Sequence, residues 1–134
     1  MVDAGPLYAY VDEDDHDHEE CLSLLERHTG PLLVPQLVVA EVAYLLQTRL
    51  GPEAEVRFLG DIAAGNLIPE AVHARDWIRI AELVARYRGL PLGTVDASVV
   101  AAAERLDVTQ IATLDRRHFT VVRPAHTAAF EILP

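Results

Sequence analysis

Short apolar runs alternate along the chain with longer stretches of helical period, and Pro and Gly fall between them as punctuation. Met1–Asp3 reads as the last part of a strand. Gly5-Pro6 then opens a short helix through about Tyr10, where Pro6 suits a first helical turn. Cys21, Leu22, Leu24, Leu25 and His28 recur at helical spacing behind an acid-rich run from Asp12 to Glu20, the charge sign a helix N-terminus favours. Leu32–Val34 predicts a strand, and Pro35 starts a mostly apolar helix to about Leu50. A further helix runs from Pro52, with Val56, Leu59, Ile62 and Ala63 on one stripe. Leu67-Ile68 predicts another strand, and Trp77, Ile80, Ala81, Val84 and Tyr87 give a regular helical face that ends at Gly89 and Pro91. Thr94–Leu106 reads as helix, Gln110–Leu114 and Thr120–Arg123 as strands, and Phe130–Leu133 as an edge strand.

Strands alternating with helices predict an α/β fold: a three-layer α/β/α sandwich around a mostly parallel sheet, joined by right-handed crossovers. In that architecture ligands gather beyond the carboxyl ends of the strands. The 134 residues, 51% of them hydrophobic, suit one domain spanning 1–134, without repeats or linkers. No apolar run approaches the ~20 residues a membrane span requires, and the N-terminus lacks the basic start and apolar core of a signal peptide. Cys21 is the single cysteine, so no internal disulfide or cysteine metal cluster forms, and a reducing cytoplasm is the easiest fit.

The net charge is −10, which opposes a broad electrostatic grip on nucleic acid or anionic lipid; any polyanion contact must be local. All the basic residues are arginines. Phosphate-binding loops ending in Gly-Lys-Ser/Thr and Schiff-base chemistry are thereby excluded.

Four acids stand out from a plain core, and their joint placement says more than any one of them alone. Glu41 interrupts the apolar surface of the helix after Pro35, shared with Leu37, Val38, Val42 and Leu45. A buried carboxylate there requires an arginine such as Arg49 or Arg86, a network of donors, or a cation. Asp96 shares a face with Val100 and Ala103, although a first-turn acid would also account for it. Asp3 and Asp115 each follow a strand and could be turn or cap residues. Together, however, all four can point into one crevice, where two charges at 4 Å repel by ~4 kcal/mol at a surface-like dielectric. A divalent cation resolves that conflict, and oxygen ligands without cysteine suit Mg²⁺ or Mn²⁺. Phosphodiester hydrolysis is the chemistry that most naturally uses such an ion.

Other constellations fail. His18-Glu19-Glu20-Cys21-Leu22 starts like HExxH but has leucine where the second histidine must stand. Ser23 and Ser98 lack a nucleophile elbow, Cys21 lies in an apolar stripe, no GxGxxG occurs, and the calcium-loop start at Asp12 lacks its glycine.

Asp3-Ala-Gly-Pro-Leu-Tyr-Ala-Tyr, Val39-Ala-Glu41-Val, Val95-Asp96-Ala-Ser and Ala112-Thr-Leu-Asp115-Arg-Arg-His-Phe119, in that order over nearly the whole chain, resemble the PIN-domain ribonucleases, above all toxins of the VapC type. The resemblance implies a metal-dependent endoribonuclease, commonly a homodimer, inhibited by a cognate antitoxin. It matches Asp3, Glu41, Asp96 and Asp115 to the family's acidic quartet, as catalytic and metal-binding residues. The chain departs from the pattern in having only Met1-Val2 before the first aspartate, and Ala4 where a hydroxyl residue is frequent.

With so negative a chain, the RNA substrate must be guided by local arginines, and Arg116 and Arg117, directly after Asp115, are the candidates; a solvated turn is the plainer role for them. An acidic crevice also suits a basic antitoxin segment, with exposed apolar surface on the first helices for the rest of it and for a second protomer. Two other functions remain open at this point: a catalytically silent PIN-like module that binds a protein partner, and a small metal-dependent phosphatase of another α/β fold. RNA cleavage with added Mg²⁺ or Mn²⁺ separates the nuclease from the silent module, whereas the phosphatase would hydrolyse phosphomonoesters and leave RNA intact.

Overall fold

The computed structural model describes residues 1–134. Seven helices and four short strands follow in the order α1 (Ala4–Val11), α2 (His18–Arg27), β1 (Leu33–Pro35), α3 (Gln36–Arg49), α4 (Pro52–Ala63), β2 (Ile68–Glu70), α5 (Ala74–Arg86), α6 (Thr94–Arg105), β3 (Gln110–Ala112), α7 (Arg116–Val121) and β4 (Glu131–Leu133). No helix is long and apolar enough to cross a membrane.

The strands form two parallel pairs, β1 with β2 and β3 with β4, in register Leu33↔Ile68 and Ile111↔Ile132. Met1–Asp3 joins them. The Val2 N–H donates to the Leu33 carbonyl at 2.8 Å, Asp3 N–H to Ala112 C=O at 2.9 Å, and Ala112 N–H to Met1 C=O at 2.9 Å. Five extended segments therefore lie side by side as 68–70, 33–35, 1–3, 110–112 and 131–133. The chain moves outward from 1–3 through β1 to β2, then returns across to β3 and β4. Right-handed crossovers place helices of these opposite moves on opposite faces of the sheet. Accordingly α1, α3 and α4 pack in sequence on one another, and α5 packs on α6. The strand order reverses between 1–3 and 110–112, so the chain leaves these neighbours toward opposite faces and opens a crevice at their carboxyl ends.

The core runs through the sheet and both helix groups, with Val2, Val34, Val99, Val100 and Ile111 among its fully buried residues. From Ala97 to Ala103 every residue of α6 is buried. Its small side chains let neighbouring elements approach closely from all sides. Gly5 marks a similar approach: an added Cβ would stand 3.1 Å from Leu114 Cβ, and this holds α1 against the segment beyond β3.

Three local expectations are corrected. In α4 the core stripe is Ala54 and Phe58, with Ile62 half-buried, whereas Val56 and Leu59 are exposed. Both stripes have helical period, and the larger aromatic takes the inner one. In α5 Trp77 is 49% exposed, because Asp76 turns inward instead, accepting the His73 N–H at 2.9 Å and the Arg105 Nε–H at 3.1 Å. Thr120-Val121 closes helix α7 and is not strand, since Thr120 Oγ1 donates to the Arg116 carbonyl at 2.8 Å and so fits the last turn. Among the helices, large exposed apolar side chains fall on α3, α4 and α5 (Tyr44, Val56, Leu59, Trp77, Ile78) and on α7 (Val121), none on the first two.

Gly51 joins α3 to α4 with φ at 94°, and no atom stands near a Cβ added there. Gly51→Ala is therefore expected to destabilise by ~1 kcal/mol through backbone strain alone, read as a lower urea midpoint with an unchanged slope.

Candidate active site

Each site residue stands where an element begins or ends at the crevice. Asp3 ends the central extended segment and precedes α1, Glu41 lies in the second turn of α3, Asp96 in the first turn of α6, and Asp115 caps α7. Alternating strand–helix order at a sheet reversal is what delivers acids so distant in sequence to one place.

Asp3 is 6% exposed. Its Oδ2 accepts the Thr113 hydroxyl at 2.8 Å, and Thr113 Oγ1 in turn accepts the Asp115 N–H at 3.0 Å. Loss of water on burial raises the Asp3 carboxyl to about 6, against the opposing bonds from Thr113 and the Ala4 backbone; the charges of Asp96 and Glu41 push the same way as burial. Glu41 is also raised, first by desolvation and then by the charge of Asp96. These mutual effects bring Asp3, Glu41 and Asp96 into one electrostatic unit. Contrary to expectation, Glu41 is not buried in the core but exposed beside the crevice, while Val38, Val42 and Leu46 supply the buried face of α3.

Asp115 joins less directly. Its Oδ1 accepts the His118 N–H at 3.3 Å, which caps α7, and its Oδ2 lies 3.1 Å from His118 Nδ1. The same Nδ1 is 2.8 Å from Asp96 Oδ2, so one imidazole ties Asp96 to Asp115. Thr113 and His118 are the site residues that sequence reasoning missed. Both stood inside the last motif, but neither a threonine on a strand nor a histidine three residues past a cap has a distinguishing period or charge.

No arginine neutralises the acids. Arg79 pairs with Glu104 at 2.8 Å, and Arg105 with Glu70 at 2.9 Å and Asp76 at 3.1 Å, all between α5, α6 and β2. Arg49 and Arg86 lie over the rings of Tyr8 and Tyr87 and form no ion pair with Glu41. Arg116 is exposed and donates to a main-chain oxygen of Pro134, while Arg117 is exposed beside it. Cys21 is fully buried, and burial, then the charges of Asp17, Glu20 and Asp15, pushes its thiol up to about 11, which removes it as a nucleophile.

Hard oxygen donors, one of them a buried carboxylate held by a hydroxyl, fit a divalent cation. No three His, Cys, Asp or Glu side chains are gathered as a closed coordination shell. That looser spacing suits an ion such as Mg²⁺, which keeps several of its waters and takes only one or two carboxylates directly.

A parallel sheet with acids at its reversal point defines an α/β protein with an acidic crevice, and comparison with known proteins agrees on the fold. The PIN domain family model matches residues 1–123. Ribonuclease VapC26 of Mycobacterium tuberculosis is 34% identical over 134 residues, covering 100% of this chain and 99% of that protein. The chain belongs to the PIN-domain family, among the ribonucleases of the VapC type. In fold it is similar to the crystal structure of the M. tuberculosis toxin VapC20, described as cleaving the sarcin-ricin loop, with a TM-score of 0.77 at 21% identity over 82% of this chain and 85% of that one.

Proposed function

We propose that the chain is an Mg²⁺- or Mn²⁺-dependent endoribonuclease toxin, working as a homodimer in the cytoplasm and restrained by a cognate antitoxin. One observation carries the reading: Asp3 is a buried carboxylate, raised first by loss of water and then by the charges of Asp96 and Glu41, with no arginine to compensate it. Asp3, Asp96 and Asp115 would hold the cation directly or through water. When bound, the ion neutralises phosphoryl charge and lowers the pKa of water. Glu41, exposed and shifted upward, is suited to orient a water and accept its proton at a carboxylate oxygen. Thr113 holds Asp3 and the Asp115 backbone in one register, and His118 keeps the Asp96 and Asp115 carboxylates facing each other. Arg117 guides the RNA, with the donors that Arg116 has left beside its bond to Pro134. The exposed apolar side chains of α3, α4 and α5 supply surface for a second protomer and for the antitoxin.

Antitoxin-free protein is expected to cut RNA internally with Mg²⁺ or Mn²⁺ and to leave it intact with chelator. Cation at ten times its dissociation constant should also stabilise the fold by ~1.4 kcal/mol, measured by thermal melts with metal against chelator. RNA left intact with either metal overturns the reading, and an unchanged melt at saturating millimolar metal overturns the shared cation site.

A further inference from the structure

Negative charge is spread unevenly over this chain. Residues 83–95 and 116–130 contain no aspartate or glutamate, yet they hold Arg86, Arg88, Arg116, Arg117 and Arg123, five of the eleven basic residues. The two stretches meet in the fold: the Arg123 N–H donates to the Tyr87 hydroxyl at 2.9 Å. Each also adjoins a crevice acid along the chain: 83–95 ends at the residue before Asp96, and 116–130 begins at the residue after Asp115.

All five arginines are exposed; Arg116 donates to Pro134, and the other four take part in no ion pair. Three are nevertheless held in place. Arg86 lies over the Tyr87 ring at 5.6 Å, Arg88 Nε donates to the Ala85 carbonyl at 2.9 Å, and an Arg123 terminal nitrogen donates to the Thr120 carbonyl at 2.9 Å. Arginines at helix C-termini serve the helix by such bonds. One N–H suffices for that, and a guanidinium has five, so Arg88 and Arg123 retain most of their donors for a ligand. Side chains already fixed lose little freedom on binding, and a guanidinium fork matches a phosphate.

We infer that Arg86, Arg88 and Arg123 form a phosphate-binding strip that carries single-stranded RNA on one side of the acidic crevice, extending the path begun by Arg117. The inference rests on the ribonuclease reading for the crevice, but the strip itself is defined by charge and geometry. It answers how a protein of net charge −10 grips a polyanion: the grip is confined to two stretches that carry arginines and no acid of their own.

The test uses a single-stranded RNA oligonucleotide and full-length protein carrying Asp96→Asn to prevent cleavage, with binding followed by fluorescence anisotropy from low to high salt. Replacing Arg86, Arg88 and Arg123 together by Gln is expected to flatten the plot of log affinity against log salt by about 2, at ~0.7 for each lost phosphate contact on a single strand. The same three positions changed to Lys should restore the slope, because the charge returns, and thermal melts confirm that each variant is folded. An unchanged slope in the folded Gln variant overturns the strip, as does loss of RNA binding that Lys fails to restore. Loss of antitoxin binding with RNA binding intact overturns it in favour of a protein surface. Cleavage is scored separately with Asp96 present. If that protein never cuts RNA but the slope still falls, the strip stands and the ribonuclease reading fails.

Discussion

Asp96→Asn is expected to reduce RNA cleavage at saturating Mg²⁺ by at least ~10³-fold, a loss of about 4 kcal/mol in transition-state stabilisation. Asp96 is the hub of the crevice. Its charge raises both Asp3 and Glu41, and its Oδ2 meets His118 at 2.8 Å. Asparagine keeps the size and an oxygen for His118 but removes the charge that a cation requires. The fold should survive, because the residue is half-buried at a helix start and not part of the apolar core. Two measurements check it: initial rates on an RNA oligonucleotide, and a thermal melt without metal. Activity within tenfold of the unaltered protein would remove Asp96 from the cation site.

Asp3→Asn is expected to stabilise the metal-free protein while destroying its activity. The Asp3 carboxyl rises from 3.8 to about 6 on folding. A raised carboxyl favours the folded state fully when protonated, below its unfolded value, and that contribution is lost as pH climbs through about 6. A shift of this size corresponds to about 3 kcal/mol at pH 8, and asparagine, which never ionises, escapes it. Its amide oxygen can still accept the Thr113 hydroxyl. In chelator, the variant should therefore exceed the unaltered protein by up to ~3 kcal/mol at pH 8, and the gap should close as pH falls toward 4. Urea melts across that range test the sign. A variant less stable at pH 8 would show that the buried charge is compensated after all. Stability set aside for a reactive site is a recurrent trade in enzymes.

Most of the element order, and the placement of the four acids near element ends, were legible because each rests on a local signal. Pro6, Pro35 and Pro52 mark helix starts, the three-residue apolar runs mark strands, and an acid just after a strand in an alternating fold points to the crevice. The residues that were not legible depend on partners far along the chain. Phe58 displaced Val56 and Leu59 from the core because one helical period permits two stripes, and only packing selects between them. Trp77 turned outward because Asp76 was drawn inward by Arg105, a pairing that no local pattern reveals. Glu41 was legible as an exception on an apolar helix, but its exposure followed from where α3 crosses the crevice. His118 and Thr113 acquire meaning only when residues 3, 96 and 115 are side by side.

The placement of Met1–Asp3 in the middle of the sheet has a consequence for timing. Residues 1–3 form the central segment, yet one of its two neighbours is 110–112 and the outermost strand on that side is 131–133. Contacts of such long sequence separation form late, after the cost of closing the intervening chain has been met. Asp3 therefore acquires Thr113 and Asp115 only after the whole stretch between residues 3 and 113 has been made. The acidic crevice is thus a late product of folding: Asp3 and Thr113 stand 110 positions apart, and a growing chain cannot bring the acids together before both have emerged from the ribosome.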